Sequence, residues 1–210
     1  RSLINMYRKM SKFSIIICIL LLSSLKSFSQ SFIQINDSSK VYAIGKQCWI
    51  LEDKENKFNR NAILNETASF KESSKEMPVF QTIDYAYWIK FTLQNNTSLK
   101  DLYLEIAYAN IAQIEFYKQK DNHLDLIQKT GTDYDFSQRN YYNPNFIFNL
   151  SLPSDSTATY YLKLKSKRPI LLPITVKSEN SLRKENNLRD LFMGIYTGIL
   201  LSILLYNLII

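Results

Sequence analysis

The side chains that could carry out chemistry are few, and their spacing does not form a catalytic pattern. The 210-residue chain contains one histidine, His123, and two cysteines, Cys18 and Cys48. His123 lies in a predicted turn among charged residues, where a solvated side chain is far more common than a general base. Asp133 and Asp135 could touch a calcium ion, but the glycine and glutamate of a calcium loop do not follow them. We therefore expect no catalytic residue, no metal site and no cofactor.

Aromatic and basic side chains instead predict a surface that binds a small polar ligand. Flat rings stack on sugars, and a guanidinium group holds oxygen atoms in a fixed geometry. Two groups of such residues occur, one on a predicted strand and one in the loop from 133 to 145: Trp88 and Lys90, then Tyr134, Arg139, Tyr141 and Tyr142. The same aromatic residues could instead cover a second sheet or an edge of the domain.

Alternating apolar residues predict the strands that would position these side chains. In residues 87–93 the odd positions are apolar or aromatic, and the segments 102–108, 112–116, 146–150 and 160–164 repeat the pattern. Such alternation places one buried face on each strand. Short strands joined by turns, without a βαβ rhythm, predict a mainly β fold, an antiparallel β-sandwich or jelly roll.

Two further segments complete the predicted domain. Pro173 lies within the apolar run 170–176, and because proline cannot donate a ladder hydrogen bond we expect this strand at an edge or a bulge. One short helix is predicted at residues 61–68. The domain is expected to span residues 30–176.

The N-terminus has the pattern of a secretory signal peptide. Basic residues precede an apolar run at 13–25, and small residues follow it, which predicts cleavage after Ser29. The five residues before Met6 are not expected to be native, and an uncleaved anchor is the alternative. Residues 1–30 hold five of the 26 basic residues and none of the 19 acidic ones, so the rest of the chain has 21 basic and 19 acidic residues. This balance excludes a nucleic-acid-binding footprint, and the remaining Cys48 has no cysteine to pair with.

The C-terminal segment 191–210 contains no charged residue and is long enough to span a bilayer as a helix. Gly194, Gly198 and Ser202 recur every four residues, so they share one side on which another helix could approach closely. Asn207 lies deep in the segment, where an amide is expected to find a partner in a neighbouring helix. We expect a bundle of several helices, with further spans missing from a truncated chain; dimerisation of a single span is the alternative.

The arrangement resembles the bacterial seven-transmembrane receptors with diverse intracellular signalling modules. Segments 49–53, 87–95 and 104–117, followed by Gly131, Arg139 and the run 161–174, are similar to the second type of extracellular domain in that family. The resemblance implies a periplasmic jelly-roll domain that binds carbohydrate-like ligands. Seven helices and an output module, such as a histidine kinase or diguanylate cyclase, would follow. Lys90 stands where the family often has arginine.

Together these features predict a membrane receptor of the bacterial inner membrane. Its periplasmic sensor domain would bind a small, carbohydrate-like ligand, and a juxtamembrane linker at 177–190 would connect this domain to the first transmembrane helix at 191–210. Its other partners would be further transmembrane helices and a cytoplasmic signalling module. The alternatives are a membrane-tethered carbohydrate-active enzyme and an envelope scaffold.

Overall fold

The computed structural model describes residues 32–66, 69–81 and 84–209. The predicted signal peptide, residues 1–29, lies outside the described residues. The described residues form thirteen strands and one α-helix, in chain order: β1 Ile33–Ile35, β2 Tyr42–Ala43, β3 Trp49–Asp53, β4 Lys71–Glu72, β5 Val79–Phe80, β6 Ala86–Asn95, β7 Leu102–Ile106, β8 Gln113–Lys120, β9 His123–Thr130, β10 Phe146–Asn149, β11 Ser156–Lys165, β12 Ile170–Leu171, β13 Ile174–Ser178 and α1 Glu179–Ile209.

The strands form two sheets that enclose the main core. The first sheet has the order β4-β3-β6-β11-β8-β9, and β1 pairs in parallel with the end of β6. The second sheet has the order β10-β7-β13-β2 and is antiparallel, while β5 and β12 form a separate pair. The inward side chains of β6 and β7 are buried between the sheets, as the alternation predicts. The mainly antiparallel β fold expected from the sequence is confirmed.

Three local predictions are corrected by the structure. Pro173 falls between β12 and β13 and divides the run expected to form one strand at an edge or a bulge: β12 is an edge strand of the separate pair, whereas β13 lies inside the second sheet, between β7 and β2. The predicted helix at 61–68 is a 3-10 helix, Ala62–Asn65, and residues 67 and 68 lie outside the described residues. His123 is not in the turn but is the first residue of β9, and its Nε2 lies 2.9 Å from Asp125 Oδ1.

The outer face of the first sheet carries a second buried cluster. Trp88 belongs to this cluster and stacks on Tyr117, with ring centroids 5.8 Å apart. The segment that follows β3 covers this face through Ile63 and Phe70, which are both buried. The first sheet is therefore apolar on both faces over part of its area.

Helix α1 begins directly after β13, with no residue between them. Its first turns pack on the outer face of the second sheet, where Leu182 joins Tyr103 and Ile147 in a third buried cluster. Farther along α1, Asn143 Nδ2 donates a hydrogen bond to Asn186 Oδ1 (3.0 Å). In the described part of the chain, α1 is the one helix long and apolar enough to cross a membrane.

Candidate ligand cleft and the junction with helix α1

The structure buries Trp88 in the second cluster, on the outer face of the first sheet. Its side chain is fully buried, and the Nζ atom of Lys163 lies 5.1 Å from its ring centroid. The indole Nε1 has no hydrogen-bond partner among the described residues. This position matches the alternative in which the aromatic residue is covered by the protein, since no ligand can stack on a ring that is already enclosed.

Lys90 is half-buried beside the second buried cluster, on the outer face of the first sheet. Burial lowers the pKa of its ammonium group. Its Nζ lies 5.9 Å from the ring centroid of Tyr161, and its cross-strand neighbour on β3 is the half-buried Trp49. Sequence reasoning missed Trp49 and Tyr161 as neighbours of Lys90, because the pairing of β3 and β11 with β6 had not been predicted.

Arg139 holds the loop from 131 to 145 in its fold. Its Nη1 donates hydrogen bonds to the carbonyl oxygens of Asn143 and Pro144, each at 3.0 Å. Its guanidinium carbon lies 4.6 Å from the ring centroid of Phe136 and 4.4 Å from that of Phe146. Burial lowers the pKa of this guanidinium group. The side chain thus organises the protein's own backbone.

The three predicted tyrosines of this loop lie in different surroundings. Tyr134 lies under Lys129, whose Nζ is 5.5 Å from the ring centroid. Tyr141 packs edge-on against Tyr103 beside helix α1. Tyr142 is 96% exposed. The structure therefore does not assemble the six predicted residues into one site: Trp88 and Lys90 are on the first sheet, and the other four belong to this loop.

An open cleft of about 660 Å³ lies at the edge of the first sheet formed by β3 and β4. This volume is in the range of small-molecule sites. None of the six predicted ligand residues lines it. Its polar lining combines acidic, basic and hydroxyl side chains: Glu52, Asp53, Glu55, Glu66 and Glu72; Lys54, Lys57, Lys71 and Lys75; Ser69, Ser73 and Ser74. Such a lining offers hydrogen-bond donors and acceptors to a polar ligand.

Asp53 shapes one wall of this cleft. It is 1% exposed, and its two carboxylate oxygens accept hydrogen bonds from the backbone N–H groups of Lys57 (2.9 Å) and Phe58 (3.0 Å). Its role is to fix the loop that follows β3. In sequence this region is simply a run of charged residues, which signals a loop but not a cavity.

A buried ion network connects the second sheet to α1. The Nζ of Lys177, on β13, lies between carboxylate oxygens of Glu105, on β7, and Glu185, on α1. Asn145 Nδ2 donates a hydrogen bond to the other oxygen of Glu105 (2.7 Å). Burial opposes the charge on Lys177, but the two carboxylates outweigh it and raise the pKa of this ammonium group. From the sequence alone, Lys177 falls within the predicted juxtamembrane linker at 177–190.

The four helix residues predicted to contact other spans are exposed on α1. Nothing lies within 4 Å of the position of an added Cβ at Gly194 or Gly198. Ser202 Oγ donates a hydrogen bond to the carbonyl of Gly198 (2.9 Å), and Asn207 Nδ2 donates one to that of Ile203 (2.8 Å). One hydrogen-bond donor of the Asn207 amide is thus satisfied within its own helix.

The chain is similar to a known protein family. The model described as 7TMR-DISM extracellular 2 matches residues 45–178, which end at the last residue of β13. No curated protein matches the chain. The matched region covers most of both sheets, and the apolar part of α1 follows it. These features describe a membrane protein with an external domain, and the chain belongs to the 7TMR-DISM extracellular 2 family.

Proposed function

We propose that this chain is the sensing part of a signalling receptor in the bacterial inner membrane. Its β domain lies in the periplasm and reversibly binds a small polar ligand, for which a carbohydrate is the expected class. Ligand binding changes how the domain packs on helix α1, and α1 transmits this change to further transmembrane helices and through them to a cytoplasmic signalling module. In this proposal the domain binds its ligand without turning it over.

The buried Lys177 is the observation that best supports signalling. A purely passive tether would need only a flexible connection between the domain and the membrane. Here one ammonium group is held by carboxylates from both the second sheet and α1. A change in the packing of the sheet would therefore act on the helix, which is the requirement for a ligand to shift a conformational equilibrium.

The cleft beside β3 and β4 is the proposed ligand site. The cleft lies on the first sheet, whereas α1 packs on the second. The proposed ligand site and the helix that transmits the signal are therefore on different sheets of the sandwich. The close packing of the core that lies between them supports transmission of small displacements.

The test is a ligand screen on the chain reconstituted in lipid nanodiscs. A panel of neutral and acidic mono- and oligosaccharides would be ranked by thermal shift, and hydrogen exchange would then be compared with and without the best compound. We expect slower exchange at residues 50–58 and 69–80 and a change at residues 177–186. Lys57→Ala in the cleft should weaken binding, whereas Lys100→Ala, at an exposed position outside it, should not.

Two results would contradict the proposal in different ways. If no compound raises the thermal midpoint, the assignment of carbohydrate binding is wrong. If a compound protects the cleft while exchange at 177–186 stays the same, the domain binds a ligand without transmitting it through α1.

A membrane-tethered carbohydrate-active enzyme is the second candidate, because the cleft gathers several carboxylates. Two carboxylates that act as acid and base or nucleophile are the usual requirement for glycoside hydrolysis. Asp53 is already committed to two backbone N–H groups, so the remaining candidates are Glu52, Glu55, Glu66 and Glu72. Appearance of cleaved products during the ligand screen would favour this function over sensing.

A further inference from the structure

We propose that the β domain rests on the membrane surface through an aromatic tip formed by Phe136, Arg139 and Tyr142. The inference requires that α1 crosses the membrane, but it does not depend on ligand binding. It identifies the headgroup region of the bilayer as the partner of this surface.

The path of α1 shows which end of the domain faces the membrane. Ser181 Oγ donates a hydrogen bond to the carbonyl of Ser39, near one end of the second sheet. Leu182 then packs on Tyr103 and Ile147, and Asn186 receives the hydrogen bond from Asn143, just before β10 begins at the other end. The helix thus runs back across the sheet and leaves the domain beside the loop from 131 to 145.

The position of Asn143 sets the height of this loop above the bilayer. Its partner Asn186 precedes Leu191, the first residue of the uncharged apolar segment, by five residues. At a rise of 1.5 Å per residue the separation along the helix is about 7.5 Å. The headgroup zone of one leaflet is roughly 5 to 8 Å thick. With α1 along the bilayer normal, Asn186 and its partner Asn143 lie near the outer boundary of the headgroup zone, and Tyr142, which directly precedes Asn143, lies within reach of that zone.

The side chains of the tip suit that environment. Tyr142 and Phe136 are 96% and 42% exposed, and their rings pack edge-on with centroids 5.1 Å apart. Exposed aromatic rings are enriched at the membrane interface, where the ring contacts the apolar boundary and the tyrosine hydroxyl remains hydrated. Arg139 lies against Phe136 and fixes its place.

Charge does not drive the contact. Asp133 and Asp135 are exposed in the same loop as Arg139, so the loop has no net positive charge to attract anionic lipid. We therefore expect the same behaviour in a zwitterionic bilayer. A requirement for anionic lipid would overturn the aromatic basis of the proposal.

The experiment uses the full chain in phosphatidylcholine nanodiscs that contain lipid with a spin label on the headgroup. Tyr142→Trp introduces an indole at the tip, and emission from Trp49 and Trp88 is subtracted using the unmodified chain. We expect roughly twofold or greater quenching of the new indole, because side chains at the interface lie at headgroup depth. A parallel measurement in nanodiscs with added anionic lipid should give the same quenching.

Asn122→Trp is the matched control. Position 122 is exposed in the turn between β8 and β9, at the far end of β8, a strand about 25 Å long. We expect little quenching there, and equal quenching at positions 122 and 142 would overturn the proposal. If Tyr142→Trp does not fold, Ser137→Trp places the indole at another exposed position of the loop and is read in the same way.

Discussion

The ammonium group of Lys177 lies 2.5 Å from Glu105 Oε2, on β7, and 2.5 Å from Glu185 Oε2, on α1. It thereby joins β7 to α1, which are separated by more than seventy residues in the sequence. The side chains of Lys177 and Glu105 are 4% and 7% exposed, whereas that of Glu185 is 50% exposed. The pair on the sheet is thus a buried ion pair, and the helix supplies a third, partly hydrated charge.

Replacing Lys177 should strongly destabilise the domain. Lys177→Met leaves Glu105 buried without its counter-charge, and breaking a buried pair in this way costs about 3 to 5 kcal/mol. Denaturant unfolding of the chain in detergent, followed by tryptophan fluorescence, would measure the free energy of unfolding. Glu185→Gln should cost much less, since Lys177 still neutralises Glu105. A Lys177→Met variant as stable as the exposed Lys184→Met variant would show that the network contributes little.

Alkaline pH should unfold the domain through its buried tyrosines. Burial raises the pKa of Tyr161 to about 12 and also raises those of Tyr117 and Tyr160. Tyrosine in an unfolded chain titrates near pH 10. The folded state therefore retains protons that the unfolded state loses, and this contribution is complete below about pH 10 and declines as the pH approaches 12.

Thermal unfolding midpoints measured between pH 8 and pH 12 would check that stability falls as the pH rises. Tyr161→Phe should lose less stability over the upper part of that range than the unmodified chain, because one group with a raised pKa has been removed. A midpoint that stays constant to pH 12 would contradict the burial of these hydroxyl groups.

Gly131 should not tolerate a side chain. Its φ angle is +141°, and an added Cβ would lie 2.0 Å from the carbonyl oxygen of Ala112. Strain of this kind costs of order 1 to 3 kcal/mol, and displacement of the backbone adds to it. We expect Gly131→Ala to lower the thermal midpoint clearly, whereas Gly194→Ala, which meets nothing within 4 Å, should leave it unchanged. Equal midpoints would mean that the loop rearranges without cost.

Trp88→Ala should act on stability. Truncation of a fully buried tryptophan typically costs about 3 to 5 kcal/mol, since it leaves a cavity beneath Tyr117 and Ile63. Trp49→Ala, at a half-buried position, should cost less. The free energies of unfolding of the two variants would be compared under the same conditions. A small effect of Trp88→Ala would indicate that this face is open to a ligand after all.

The fold could be predicted because its pattern is local. The alternation in residues 87–93 fixes which side chains of β6 face the core, and that depends only on the two-residue period of a strand. Pro173 was misread because the sequence does not show where one strand ends: the proline separates β12 and β13, so no ladder hydrogen bond is lost.

The site could not be predicted in the same way, because it depends on pairings distant in sequence. Lys177 and Glu105 look like solvated charges until β13 and β7 are paired side by side. Arg139 resembles a ligand-binding arginine, yet its own loop supplies the carbonyl groups that it holds. The cleft arises where β3 and β4 meet polar loops, and no single segment of the sequence contains it.

The direct passage from β13 into α1 also fixes the rotation of the helix about its own axis, relative to the β domain. With no loop between Ser178 and Glu179, and with Leu182 and Asn186 held by the domain, α1 cannot swivel freely about its axis. The packing of α1 on the β domain therefore determines the direction that the side with Gly194 and Gly198 faces. Each residue inserted between Asn186 and Leu191 would turn that side by about 100°, so the number of residues in this stretch sets the direction that the glycine side of the helix faces.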